Sequence, residues 1–334
     1  MKRLFYLLCL FVCFACDDND DKVVADVDKP YSKMSSSELK NVLEENLTAR
    51  DQLVDECNKA SVKTNRELMT IARHYDFADF IDMNGGLQSA ACAKAEEEVV
   101  KGVLLKWNRD KKDFDITANA EQCLVEIQVP SSLTDDSKND LLVKVTNDKL
   151  NGKFEMFVYK NETLWFSHIV EADKENNLQT EVIVCPPYTM RTELAVRKQA
   201  AGGDIMLGKW AKVKYARVTC EKEGGFSYKG EMNLVEDDLS VLLDCGNVRF
   251  TGKFVGFTAF MPLLEELVED GKVDMALMAE LLRNNFRQNV VVFTDRNEKI
   301  GDWYFVFDEE SRKERKFKCV FQDGEEYMGV WKLI

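Results

Sequence analysis

The chain has 334 residues, with 59 acidic and 45 basic side chains, a net charge of −14 and 45% hydrophobic residues. With 31% of residues charged, this is the composition of a folded soluble body, long enough for one large or two modest domains. The acidic balance excludes a nucleic-acid binder, which needs a basic surface for phosphates, and adsorption to anionic lipid by charge alone.

The first predicted element is a secretion signal, residues 1–15. Lys2 and Arg3 precede an apolar run from Leu4 to Phe14. That run is about half of the roughly 20 residues a membrane-spanning helix needs, so it reads as a leader rather than a span. Cys13 and Ala15 are small enough for an ordinary signal peptidase. A second reading starts from Cys16. The stretch Cys13-Phe14-Ala15-Cys16 resembles a lipobox, in which a small residue precedes an essential cysteine. The following Asp17-Asp18-Asn19-Asp20-Asp21 resembles the acidic export tag of surface lipoproteins of Bacteroidota. The resemblance covers residues 1–22. It implies a lipidated Cys16, an export tag of Asp17, Asp18, Asp20 and Asp21, and a body held by lipid at the outer membrane, on the cell surface or the periplasmic side. One acyl chain binds only reversibly, whereas two or three hold a protein on the bilayer.

Residues 16–34 are polar and acidic and read as a flexible tether. A helical unit is expected over 35–118. Ser35 with Glu38 forms a capping-box pattern. Leu39, Val42, Leu43, Leu47, Leu53, Val54 and Cys57 then fall at helical spacing, a second helix is expected from Arg66 to Ile81, and a third from Ser89 to Trp107. The period changes after residue 119. Strands are expected at Cys123–Val129, Leu141–Thr146, Phe154–Tyr159, Leu164–Glu171 and Leu178–Cys185, separated by polar turns. Strands at this spacing without helices between them argue for an antiparallel meander over 119–200. Pro186-Pro187 is expected to end it, with a short helix over Thr192–Ala201. The last region, 201–334, reads as β-rich with one inserted helix over 262–286. The fold class expected is therefore α+β: an N-terminal helical unit, then an antiparallel β-rich region with one embedded long helix. Tyr228-Lys229-Gly230 and Tyr327-Met328-Gly329 echo each other faintly, as shared strand-turn chemistry or, less simply, a duplication would.

Beyond the signal and Cys16, seven cysteines remain: Cys57, Cys92, Cys123, Cys185, Cys220, Cys245 and Cys319. They are scattered, with no CxxC pair, so no zinc cluster and no metal is expected. Buried thiols are the simplest expectation. An oxidising compartment would permit one to three disulfides, with no pairing assignable.

Catalytic signatures are sparse. The only histidines, His74 and His168, stand in no triad setting, and no GxSxG elbow or phosphate loop is present. Acidic clusters abound, so a glycosidase-type pair cannot be singled out. Asp295-Arg296-Asn297 ahead of Gly301 resembles the start of a calcium loop with the wrong register, and reads as a solvated turn. Aromatics on β segments supply the ligand-binding candidates Trp165, Trp303 and Trp331. Gly208-Lys209-Trp210 faintly resembles the start of a lipocalin-like barrel. The function expected is a non-catalytic envelope lipoprotein, without cofactor, that binds a partner protein or ligand. The alternatives are a secreted hydrolase using paired carboxylates, or a lipocalin-like carrier of apolar ligands.

Overall fold

The structure, a computed structural model, describes residues 29–78, 81, 102–119, 124–148, 152–173, 175–196, 213–254, 289–306 and 315–331. Among them are one helix, α1 (Ser36–His74), and sixteen strands. The strands are β1 (Gly102–Asn108), β2 (Asp113–Asn119), β3 (Leu124–Val129), β4 (Leu141–Asp148), β5 (Lys153–Lys160), β6 (Thr163–Asp173), β7 (Leu178–Cys185) and β8 (Tyr188–Val196). They continue with β9 (Val213–Lys222), β10 (Ser227–Val235), β11 (Asp238–Cys245), β12 (Val248–Phe254), β13 (Asn289–Thr294), β14 (Lys299–Val306), β15 (Arg315–Val320) and β16 (Glu326–Trp331). From β3 to β16 each strand neighbours the next in sequence, and β1 sits between β2 and β3. The β1–β3 ladder is parallel, Val103 facing Val125; β1–β2, the ladders from β3 to β7 and those from β9 to β16 are antiparallel.

This is a β-rich fold, which corrects the expected α+β class. Three local readings explain the difference. The two helices expected before residue 81 are one, because Asn58–Asn65 contains neither Gly nor Pro to break it. The four-residue spacing that ran through Val99 to Val103 suggested a third helix, but Gly102–Asn108 is β1, hydrogen-bonded on both edges. Val103, Leu104 and Trp107 suit a pleated, half-buried surface at least as well as a helix. Pro186-Pro187, joined by a cis peptide bond, forms the turn between β7 and β8 rather than the end of the meander. So Tyr188–Val196 is strand where a helix was expected from Thr192. The helix expected over 262–286 lies outside the described residues.

The fold divides into two compact units, Glu56–Arg191 and the described residues of Met1–Asp55 with Thr192–Ile334. In the first, the period-two pattern of the strands puts Ile127, Val129, Leu141, Val143, Val145, Phe154, Met156, Val158 and Phe166 on one face. They share a core with Leu68, Ile71, Ala72 and Tyr75 of α1. The helix ends there: Tyr75 N–H still donates to Ile71 O (3.0 Å), Asp76 turns into the left-handed region and Phe77 N–H donates back to Ala72 O (2.8 Å). Tyr75 also donates its hydroxyl to Ser132 O at 2.7 Å and meets Trp107 edge-on.

In the second unit α1 begins with the capping box the sequence suggested. Ser35 N–H and Oγ–H both donate to Glu38 Oε2, at 2.8 and 2.7 Å, and Glu38 N–H donates to Ser35 Oγ. The Ser35 hydroxyl and amide hold the Glu38 carboxyl below its ordinary pKa. Cross-strand registers place Leu243, Phe250, Val292, Trp303 and Cys319 on one sheet face. Arg217, Lys229 and Glu231 alternate onto the other.

Candidate functional site

Before α1 begins, the chain is stitched to a strand. Lys299 N–H donates to Pro30 O, and Ser32 N–H donates to Lys299 O, each at 2.9 Å, which makes Tyr31 and Lys299 a parallel bridge. The Lys299 side chain is buried, with its ammonium 4.8 Å from the Tyr31 ring centroid and 3.0 Å from Asp302 Oδ2. Burial opposes the charge, but the hydrogen bonds to Asp302 and Tyr31 outweigh it and hold the Lys299 pKa above its ordinary value.

The β13–β14 turn follows from its residue types. Thr294 Oγ1 accepts from Arg296 N–H (3.2 Å) and Glu298 N–H (3.3 Å), and Asn297 takes a positive φ. Asp295 N–H donates to Asn247 O at 3.0 Å, joining this turn to the β11–β12 turn. That second turn is held by the helix. Asn46 is buried; its Nδ2 donates to Val42 O (2.8 Å) and its Oδ1 accepts from Asn247 N–H (3.0 Å). Gly246 must be glycine here, because φ is +61° and a Cβ would sit 2.6 Å from Phe226 and 2.7 Å from Asn46 Oδ1. Asn46→Ala leaves the Asn247 amide without that acceptor and is expected to cost about 1–3 kcal/mol of unfolding free energy. A urea melt of the variant beside the parent measures it; an unchanged midpoint would remove Asn46 as the staple.

These elements enclose a cleft of about 600 Å³. It is lined by Ser32, Lys33 and Met34, by Glu38, Val42, Glu45 and Asn46 of α1, and by Asn247, Thr294, Asp295, Arg296 and Glu298. The size falls within the roughly 300–1,000 Å³ of small-ligand sites. The charged ends of Lys33, Glu45, Asp295, Arg296 and Glu298 make no hydrogen bond or ion pair with any described residue, whereas Glu38 is engaged by Ser35.

Other charged groups are spent internally. Glu231, 1% exposed, accepts from Arg217 Nε at 2.7 Å and lies 3.0 Å from Lys229 Nζ. Arg217 also lies 3.6 Å from Glu193, which accepts from the Tyr215 hydroxyl at 3.2 Å. His168, 8% exposed, bonds Glu181 through Nε2 at 2.7 Å, and its Nδ1 has no hydrogen-bond partner among the described residues. Among the described residues no group of three or more His, Cys, Asp or Glu side chains is placed to hold a metal ion.

The positions singled out by sequence fall elsewhere. Cys16, Asp17, Asp18, Asp20 and Asp21 lie outside the described residues. Trp303 is 3% exposed, stacked on Phe317 (3.7 Å between centroids) and edge-on to Phe250 (4.8 Å). Its ring is core. Trp165, in the other unit, is half-buried, packs on that unit's core and carries Lys160 Nζ 5.4 Å from its ring centroid. Trp331 ends β16, and its side chain is outside the description. Of the cleft, the sequence marked Glu38 as a capping residue, Val42 as an apolar helix position and Asp295-Arg296-Asn297 as a turn; nothing local brings Lys33 and Glu45 to it, since the juxtaposition is tertiary.

No protein-family model matches the chain. Searches of curated proteins and of solved structures find no match either.

Proposed function

We propose that the protein is a cell-envelope lipoprotein, anchored through Cys16, that binds a partner protein or ligand in the charged cleft between the start of α1 and the β13–β14 turn. The cleft carries this reading: five charged side chains line it with no partner among the described residues. Both signs are present, which suits a ligand that itself carries both, such as a peptide segment, and disfavours an apolar one. A further observation supports binding over hydrolysis. Among the described residues the resolved shifts on carboxyls, at Glu38, Asp115, Asp135, Asp136, Asp173 and Asp323, are all downward, towards the charged form rather than a proton donor.

Two experiments test the two halves of the proposal. Cys16→Ala is expected to leave the membrane fraction, and protease applied to intact cells reports the face occupied; a Cys16→Ala protein still processed and membrane-bound would sink the anchor. A photo-crosslinking residue at position 296 is expected to trap a discrete adduct in cells that one at Val62, exposed on α1, does not. Lys33→Glu should abolish that adduct. Equal trapping at both positions would sink the cleft.

A further inference from the structure

Two cysteines far apart in sequence meet in the Glu56–Arg191 unit. Cys57, Ser61 and Thr64 lie four and then three residues apart, so they form one stripe of α1. Cys185 closes β7 on the sheet face that shares its core with α1. Both are reduced thiols in the structure; the Cys185 thiol hydrogen-bonds with the Ser61 and Thr64 side chains, and Tyr188, three residues on, donates its hydroxyl at 2.8 Å to Glu56, the neighbour of Cys57. Both cysteines are buried, at 3% exposure.

The other described cysteines are placed differently. Cys220 of β9 and Cys245 of β11 both pair with Tyr228 of β10, one on each side. Two strand spacings separate them, roughly 9–10 Å, whereas a disulfide needs Cα atoms within about 7 Å. Cys319 is walled in beside Gly301 and Trp303.

We propose that Cys57 and Cys185 are a disulfide site, which closes in the oxidising envelope and ties α1 to β7; the compartment, though not the pairing, rests on the lipoprotein reading. The chemistry is thiol–disulfide exchange with an external disulfide, such as oxidised glutathione or a disulfide-donor protein. One thiolate attacks the donor and forms a mixed disulfide, releasing one donor thiol. The second cysteine displaces the other donor thiol. Two electrons and two protons pass from the cysteine pair to the donor, whose one disulfide becomes two thiols.

Burial, and then the neighbouring Cys57, push the Cys185 thiol up to about 11. At pH 7 only about one molecule in ten thousand is then thiolate, so the folded thiol pair exchanges slowly. The bond therefore forms while the chain is folding, before the pair is covered. Because it closes a long loop, it should raise Tm by about 5–10 °C.

The test uses the protein purified from whichever cell fraction holds it, unfolded and refolded with oxidised and reduced glutathione. Iodoacetamide then blocks remaining thiols without reduction, and tryptic peptides are mapped. A linked pair of Asp51–Lys59 with Glu175–Arg191 is expected, absent from Cys57→Ala and from Cys185→Ala. Should either variant fail to fold, the parent map still decides. Both parent peptides carrying the alkyl tag after oxidative refolding would overturn the pairing. Linkage on refolding, but tagged thiols in protein trapped directly from cells, would support the pairing and remove the envelope assignment.

Discussion

Arg217→Ala should lower the unfolding free energy by about 3 kcal/mol, among the largest single losses available on this sheet. Arg217 bridges β9 to β10 through the 2.7 Å bond to Glu231 and lies 3.6 Å from Glu193 of β8. Glu231 is 1% exposed and Glu193 8% exposed, so neither carboxylate can turn to water when the guanidinium is removed. Lys229 keeps its 3.0 Å contact with Glu231 and moderates the loss. Its compact ammonium cannot replace the planar fork that serves two carboxylates. The network need not be stabilising relative to an apolar core; its cost appears when half of it is removed. Arg217→Met with Glu231→Leu is therefore expected to recover most of the loss. Urea denaturation of the single and double variants decides: a single variant within 0.5 kcal/mol of the parent by order of magnitude, about the range of a surface substitution, would show that the buried ions do not depend on each other.

Gly329→Ala is expected to cost about 2–3 kcal/mol, although it adds a single methyl group. Gly329 of β16 faces Phe317 of β15. A Cβ at that position would stand 2.0 Å from Phe317 Cζ and 2.7 Å from two more ring atoms. Phe317 has no room to retreat, being buried and stacked on Trp303 at 3.7 Å with an interplanar angle of 20°. The added methyl therefore has to break the stack or lift the strand. Trp303 emission should report the disturbance. Phe317→Leu placed in the Gly329→Ala background should recover stability, since neighbouring volume changes do not add. A Gly329→Ala protein with the parent's Tm and emission would show that the strand yields at no cost.

The strands were legible where their own residues carried the pattern. Leu141–Asp148 and Lys153–Lys160 alternate in burial as their apolar residues alternate in sequence, and polar turns bound them. Tyr228–Gly230 and Tyr327–Gly329, which echo each other in sequence, both lie on strands. Illegible were features decided by neighbours. Nothing in Gly102–Asn108 announces a parallel partner at β3, and helical spacing over a short apolar run fits a strand too. The one long helix was read as two because its apolar stripe weakens near Ser61 and Thr64, the stripe that receives Cys185. The cleft was less legible still. Asn46 looks like an ordinary polar position on a helix, and only the fold brings Gly246 and Asn247 to it.

The stitch between Pro30–Ser32 and Lys299 has a consequence for reach. It anchors the chain to the sheet just before the cleft-lining Ser32, Lys33 and Met34. Were Cys16 held in lipid, as proposed, only the residues from 16 to 30 would lie between bilayer and stitch, and at about 3.5 Å each they would span at most about 50 Å. The cleft would then sample a thin shell above the membrane rather than the open volume around the cell. A ligand carried on the same membrane would meet it at a high local concentration, so that even weak contacts in the cleft would hold. A ligand displayed farther out than that leash would not be reached at all.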